Sequence, residues 1–187
     1  LKKSKLISKI IVSTDSAVTK KEALKYKVDC PFLRPKSLSN KFSDILSVAN
    51  YTLQEYEKRG EKFNLVFLVT CDYPFRNYKM YDLMIEKLVH SGLDTLVSAS
   101  EIRSGIWLKD KKNFNVKKII DPNIPNLVKK DYTLKVSIGH GCVTYPLNLN
   151  TNSIFSKKYD FHISNSNTEF FEISNFQDKD RLEDFIN

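Results

Sequence analysis

An α/β fold, doubly wound around a mainly parallel sheet, is what this sequence predicts, and three observations lead there. Short β-branched and apolar runs alternate with amphipathic helical stretches along the first hundred residues. The strongest of these runs, Asn64 to Val69 (Asn-Leu-Val-Phe-Leu-Val), is continuous rather than alternating, as a strand covered on both faces must be. The links between the patterns are short. The right-handed crossover rule then leaves a Rossmann-like topology as the simplest arrangement.

The elements follow in order. Lys9 to Ser13 holds Ile10, Ile11 and Val12, a run suited to a buried strand. A helix is expected from Ala17 to Tyr26, with Asp15 or Ser16 capping its free N–H groups. A second runs from Ser43 to Arg59, where Ile45, Val48, Ala49, Thr52, Leu53 and Tyr56 recur at three-four spacing. Ser43 is its expected cap and Gly60 its stop. After the central strand, Asn77 to Ser91 reads as a helix burying Met80, Leu83, Met84 and Leu88, ended by Gly92. Thr95 to Ala99 is again a strand. From Glu101 to Lys135 the periodicity fails, and this Lys-rich stretch with Asp121-Pro122 and Ile124-Pro125 reads as an excursion of short hairpins used in subunit contact. Strands return at Gly141 to Tyr145, Tyr159 to Ile163 and Phe170 to Ile173. A terminal helix is expected from Phe176 to Ile186, capped by Asn175.

At 187 residues the chain suffices for one domain with its own core, and residues 1–187 read as one. The net charge is +8, but the cations are mostly Lys, spread along the chain and interleaved with acids. That pattern argues against a nucleic-acid interface and leaves an anionic small substrate as the use of the excess. Runs such as Leu65 to Val69 are far too short to span a bilayer. Cys30, Cys71 and Cys142 form no CxxC pair, which points to a reducing cytoplasm rather than a disulfide framework. His90, His140 and His162 have no metal-ligand spacing.

Ligands of open α/β sheets bind where strands end, so the residues just after each strand carry the candidate chemistry. These are Ser13, Thr14 and Asp15; Thr70 to Arg76; Ser98 to Glu101; and Glu172, Ser174 and Asn175. Asp72 stands out, because a carboxylate in a proline-containing turn after a buried strand is placed to bind Mg²⁺. It is equally placed to satisfy backbone N–H groups of the turn or to cap the next helix.

Several segments in sequence have a family look. Ile11-Val12-Ser13-Thr14-Asp15, Val28-Asp29-Cys30-Pro31-Phe32-Leu33-Arg34-Pro35, Tyr73-Pro74-Phe75-Arg76, His140-Gly141-Cys142-Val143-Thr144-Tyr145 and Phe171-Glu172-Ile173-Ser174-Asn175 resemble successive landmarks of the CMP-acylneuraminate synthetases. The resemblance implies a nucleotide-sugar nucleotidyltransferase fold and a cytidylyltransferase reaction. In it, the anomeric hydroxyl of an acidic 2-keto sugar (sialic, legionaminic or pseudaminic type) attacks the α-phosphate of CTP, giving CMP-sugar and pyrophosphate. It further implies a cytoplasmic homodimer that uses Mg²⁺ or Mn²⁺. By position, Asp72 and Arg76 would be catalytic, and Thr14, Asp15, Arg34 and Ser43 would hold the nucleotide. Asp44 competes with Ser43 across a one-residue gap. Lys135 and His140 would meet the sugar acid, and Asp72 with Glu172 would hold the metal.

Departures from the family pattern are equally informative. Thr70-Cys71-Asp72-Tyr73 is nearer the Gly-Asp-Glu-Pro turn of the Kdo cytidylyltransferases, which makes a Kdo-type enzyme the alternative. Two aspartates of the terminal motif are replaced by Glu172 and Ser174. The glycine-rich, phosphate-gripping loop that opens the family is not found, and only 5 glycines occur in the chain. Leu1 to Ser8 resembles the tail of the helix that follows that loop, so the chain reads as N-terminally truncated. The missing loop also keeps open a non-catalytic relative that binds a nucleotide or a partner subunit.

Overall fold

The computed structural model describes residues 1–40, 43–102, 107–109, 116–118, 133–150, 153–155, 158–164, 166, 168–175, 178 and 182. Helix α1 (Ala17–Lys25) starts at Ser16, whose side chain accepts from the Thr19 amide. Helix α2 (Ile45–Glu57) starts at Asp44, not Ser43. The Asp44 carboxylate accepts from the Leu46 amide at 2.8 Å and the Ser47 amide at 3.0 Å. A charged acceptor serves two orphan amides of the first turn better than a hydroxyl. Helix α3 (Tyr78–Ser91) runs from an Asn77 cap to Gly92, whose φ of 67° is the left-handed conformation that ends helices.

The larger sheet contains β1 (Val66–Leu68), β2 (Thr95–Ile102), β5 (Thr133–Val136), β6 (Cys142–Thr144) and β7 (Tyr159–Ser164), in the order β1-β6-β2-β5 with β7 on β2. A separate antiparallel pair joins β3 (Trp107–Lys109) to β4 (Val116–Lys118), a hairpin within the excursion expected from residue 101 onward. β1 and β2 are each antiparallel to β6 and so run the same way; β7 is parallel to β2. The mainly parallel reading is thus only partly met, because β5 and β6 run against the other three. A single strand pattern of four to six residues carries no direction, and only pairing reveals it.

Helices cover both faces of this sheet. Along each strand, successive residues point to opposite sides. Leu68, Val97 and Cys142 pack with Ala49 and the α2 face, whereas Phe67, Leu96 and Val143 pack with Met80, Tyr81, Met84 and Leu88 of α3. Leu83 is exposed and Tyr81 takes its place in the core. The run Ile10 to Val12 makes one parallel bridge, Ile11 to Asp29, rather than a full strand. Phe171 to Ser174 forms no strand; the Ile173 amide donates to the Asp72 carbonyl at 2.7 Å. Asp178 and Leu182 are helical, and the rest of the expected terminal helix lies outside the described residues.

Candidate functional site

β1 leaves the sheet beside the start of β6, because Leu68 faces Cys142. Two segments therefore meet at that edge: the turn Thr70 to Arg76 after β1, and Ser137 to Gly141 between β5 and β6. The Thr70 amide donates to the Gly139 carbonyl at 2.8 Å. The approach is close enough that a Cβ on Gly139 would lie 2.7 Å from Thr70 Oγ1, so any side chain here would have to displace Thr70. Arg76 Nη2 donates to the Thr70 carbonyl and, at 3.1 Å, to the Gly139 carbonyl. Arg76 thereby clamps the two segments together, with its guanidinium 5.7 Å from the Tyr73 ring centre.

A chain of hydroxyls runs through this junction. Ser137 Oγ donates to the Tyr73 hydroxyl at 2.7 Å, and that hydroxyl donates to Glu172 Oε2 at 3.1 Å. Ser137 Oγ also accepts from the His140 amide at 3.2 Å. Burial pushes the Tyr73 hydroxyl's pKa up; Ser137 opposes this, while the Glu172 and Asp72 charges add to it. Of the two carboxylates, Glu172 is the one in hydrogen-bond contact with this phenol. The Asp72 carboxylate itself is exposed and has no hydrogen-bond partner among the described residues.

His140 lies beneath the site rather than on its surface. Its ring has 0% exposure and stacks on Phe170 at 4.3 Å. Nδ1 is 3.0 Å from Ser98 Oγ, which also lies 3.1 Å from the Ser137 carbonyl, and buried Nε2 meets no partner in hydrogen-bond geometry among the described residues. Burial, then the Arg76 charge, lowers its pKa to about 4 against a weaker pull from the Glu169 backbone carbonyl. A neutral buried His costs stability when the unfolded chain can take up a proton that the folded one refuses. Stability is therefore full above pH 6.5 and falls as the pH drops toward 4. Between pH 7.5 and 5 the expected loss from His140 is about 2 kcal/mol. Urea unfolding of the protein and of His140→Gln at both pH values checks this. The variant should lose distinctly less; an equal loss in both would assign the acid sensitivity to other groups.

The second group of expected residues sits after the Ile11 bridge. The Arg34 amide donates to the Thr14 carbonyl at 2.7 Å, its Nε donates to Ser39 Oγ at 3.2 Å, and Nη2 lies 3.6 Å from Asp15. Thr14, Asp15 and Arg34 are thus brought together, with Ser39 added. Ser43 is not in this group; its hydroxyl accepts from the Asn40 amide at 3.3 Å. Lys135 pairs through its backbone with Ser100, and its side chain lies outside the described residues. Sequence reasoning did not single out Ser137 or Ser39, and it gave no site role to Tyr73, within the post-strand turn, or to Phe170, within an expected strand. The close spacing of Ser137, Gly139, His140 and Gly141 was the available signal for Ser137.

The implied divalent metal can be weighed against these residues. No group of three or more His, Cys, Asp and Glu among the described residues could hold a metal ion. Asp72 and Glu172 nevertheless offer hard carboxylate oxygens on two loops joined by the Ile173–Asp72 hydrogen bond. That pair suits Mg²⁺, which commonly takes one or two carboxylates and fills its shell with water and substrate phosphates.

No protein-family model matches the chain, and no curated protein matches it in sequence. Its fold is similar to that of a solved structure of CMP:2-keto-3-deoxy-manno-octonic acid synthetase complexed with CTP. That likeness has a TM-score of 0.66 at 7% identity, over 98% of this chain and 83% of the other.

Proposed function

We propose that this protein is a cytidylyltransferase that joins CMP from CTP to an acidic 2-keto sugar and releases pyrophosphate. The likeness in fold to a CTP-bound synthetase, across nearly the whole chain, is the observation that carries the reading. The place of Asp72 in the turn after β1, tied to the Glu172 loop by the Ile173–Asp72 backbone hydrogen bond, supports it from the residues. An attack by the anomeric hydroxyl on the α-phosphate breaks the α–β bridging bond and builds negative charge on the leaving pyrophosphate. Groups fixed in advance around that charge supply most of the rate in such transfers.

Arg34, Thr14 and Asp15 are proposed to hold the cytidine end. Asp72 and Glu172 are proposed to hold a Mg²⁺ or Mn²⁺ ion, which when bound neutralises phosphate charge. Two acceptor classes are in play. The segment resemblance favours sialic, legionaminic or pseudaminic acids. The turn Cys71-Asp72-Tyr73 and the identity of the structural neighbour favour Kdo. The three free thiols suit a reducing cytoplasm.

Calorimetric titration tests the nucleotide half of this reading. CTP is expected to bind at least 10-fold more tightly than ATP, and Arg34→Met to weaken CTP binding about 10-fold without changing the fold. Absence of heat with CTP, with or without Mg²⁺, would instead mark the chain as a scaffold relative.

A further inference from the structure

We propose that Tyr73, anchored by Ser137, is a positioning residue that aims the Glu172 carboxylate at the metal site. This inference rests on the cytidylyltransferase reading and deepens it. Glu172 is exposed, with a long side chain that would otherwise sample many rotamers, and a carboxylate at the end of three torsions is a poorly fixed ligand. Tyr73 is the opposite: a ring 7% exposed, packed edge-on against His140 at 5.3 Å and against the Arg76 guanidinium. Its hydroxyl is fixed on one side by Ser137 Oγ at 2.7 Å and donates on the other to Glu172 Oε2 at 3.1 Å. Ser137 is itself held by the His140 amide at 3.2 Å. The order of the turn thus passes through Ser137 and Tyr73 to one oxygen of Glu172. The other oxygen, Oε1, has only a 3.4 Å contact from Ser174 Oγ and stays available to a cation. Partners of this kind, which orient a ligand without touching the metal, typically change metal affinity 10- to 100-fold when removed.

Tyr73→Phe keeps the ring and removes the hydroxyl. Two measurements on the variant test the idea: free Mn²⁺ by electron paramagnetic resonance in the presence of CTP, and the Mg²⁺ concentration giving half-maximal pyrophosphate release. The expected result is a roughly 10-fold weaker Mn²⁺ affinity and a similar rise in the Mg²⁺ requirement. The rate at saturating Mg²⁺ should stay within about 3-fold of wild type. Rescue by excess metal distinguishes a positioning role from general damage to the fold. Ser137→Ala should shift both values in the same direction by less, and it carries the test if Tyr73→Phe fails to fold. Unchanged Mn²⁺ affinity in both variants, with affinity lost in Glu172→Gln, would overturn the role of Tyr73 while leaving the metal site standing. A wild-type protein that binds CTP but no Mn²⁺ would overturn both.

Discussion

Asp72→Asn is expected to lower pyrophosphate release by about 100- to 1,000-fold while leaving the melting temperature nearly unchanged. The two halves of this expectation have separate grounds. The Asp72 carboxylate is exposed and makes no hydrogen bond among the described residues, and only its backbone carbonyl is used, by the Ile173 amide. An isosteric amide should therefore cost the fold little. The chemistry differs, because the amide carries no charge and binds a hard cation far less well than a carboxylate. A variant of near wild-type activity would remove Asp72 from the site. A variant that melts well below wild type would return Asp72 to the bland role of holding its turn.

The largest stability effect is expected at Arg76. Its Nη2 bonds two backbone carbonyls on different segments, Thr70 and Gly139. Hydrogen bonds from a charged donor contribute about 1.5–3 kcal/mol each. The Gly139 carbonyl keeps the Thr70 amide, whereas the Thr70 carbonyl loses the guanidinium that serves it. Arg76→Met, which preserves much of the volume, should then destabilise by about 3 kcal/mol. For a chain of this size that corresponds to a fall in melting temperature of about 6–12 °C. Arg76→Lys should recover part of it, since a single ammonium lacks the planar fork. Calorimetric melting of the three proteins decides the matter. An unchanged midpoint in Arg76→Met would leave the guanidinium free for substrate phosphate, as its sequence position suggests.

The contrast between these two residues shows how much the sequence could reveal. Both stand in the turn after the central strand; residue type and position singled out Asp72, and the family resemblance made both catalytic candidates. Nothing local tells that Arg76 folds back onto carbonyls 6 and 63 residues away, while Asp72 faces solvent. Helices were more legible. Asn77 and Gly92 bracket α3 as expected, because caps are local chemistry acting within one turn. The cap of α2 lies one residue beyond the expected Ser43, because the Asp44 carboxylate is the stronger acceptor for the first-turn amides. Strand direction was out of reach, since β5 and β6 lie antiparallel to β2 only by virtue of long-range pairing. The hydroxyl chain through Ser137 was hidden for the same reason, its partners being 64 and 99 residues apart in sequence.

Formation of a CMP-sugar is the most direct test of the account. The protein is incubated with CTP, Mg²⁺ or Mn²⁺, and in turn Kdo and sialic, legionaminic and pseudaminic acids. The account predicts that at least one acid yields its CMP conjugate by mass spectrometry, with an equal amount of pyrophosphate. No conjugate from any of the four, with either metal, would contradict it.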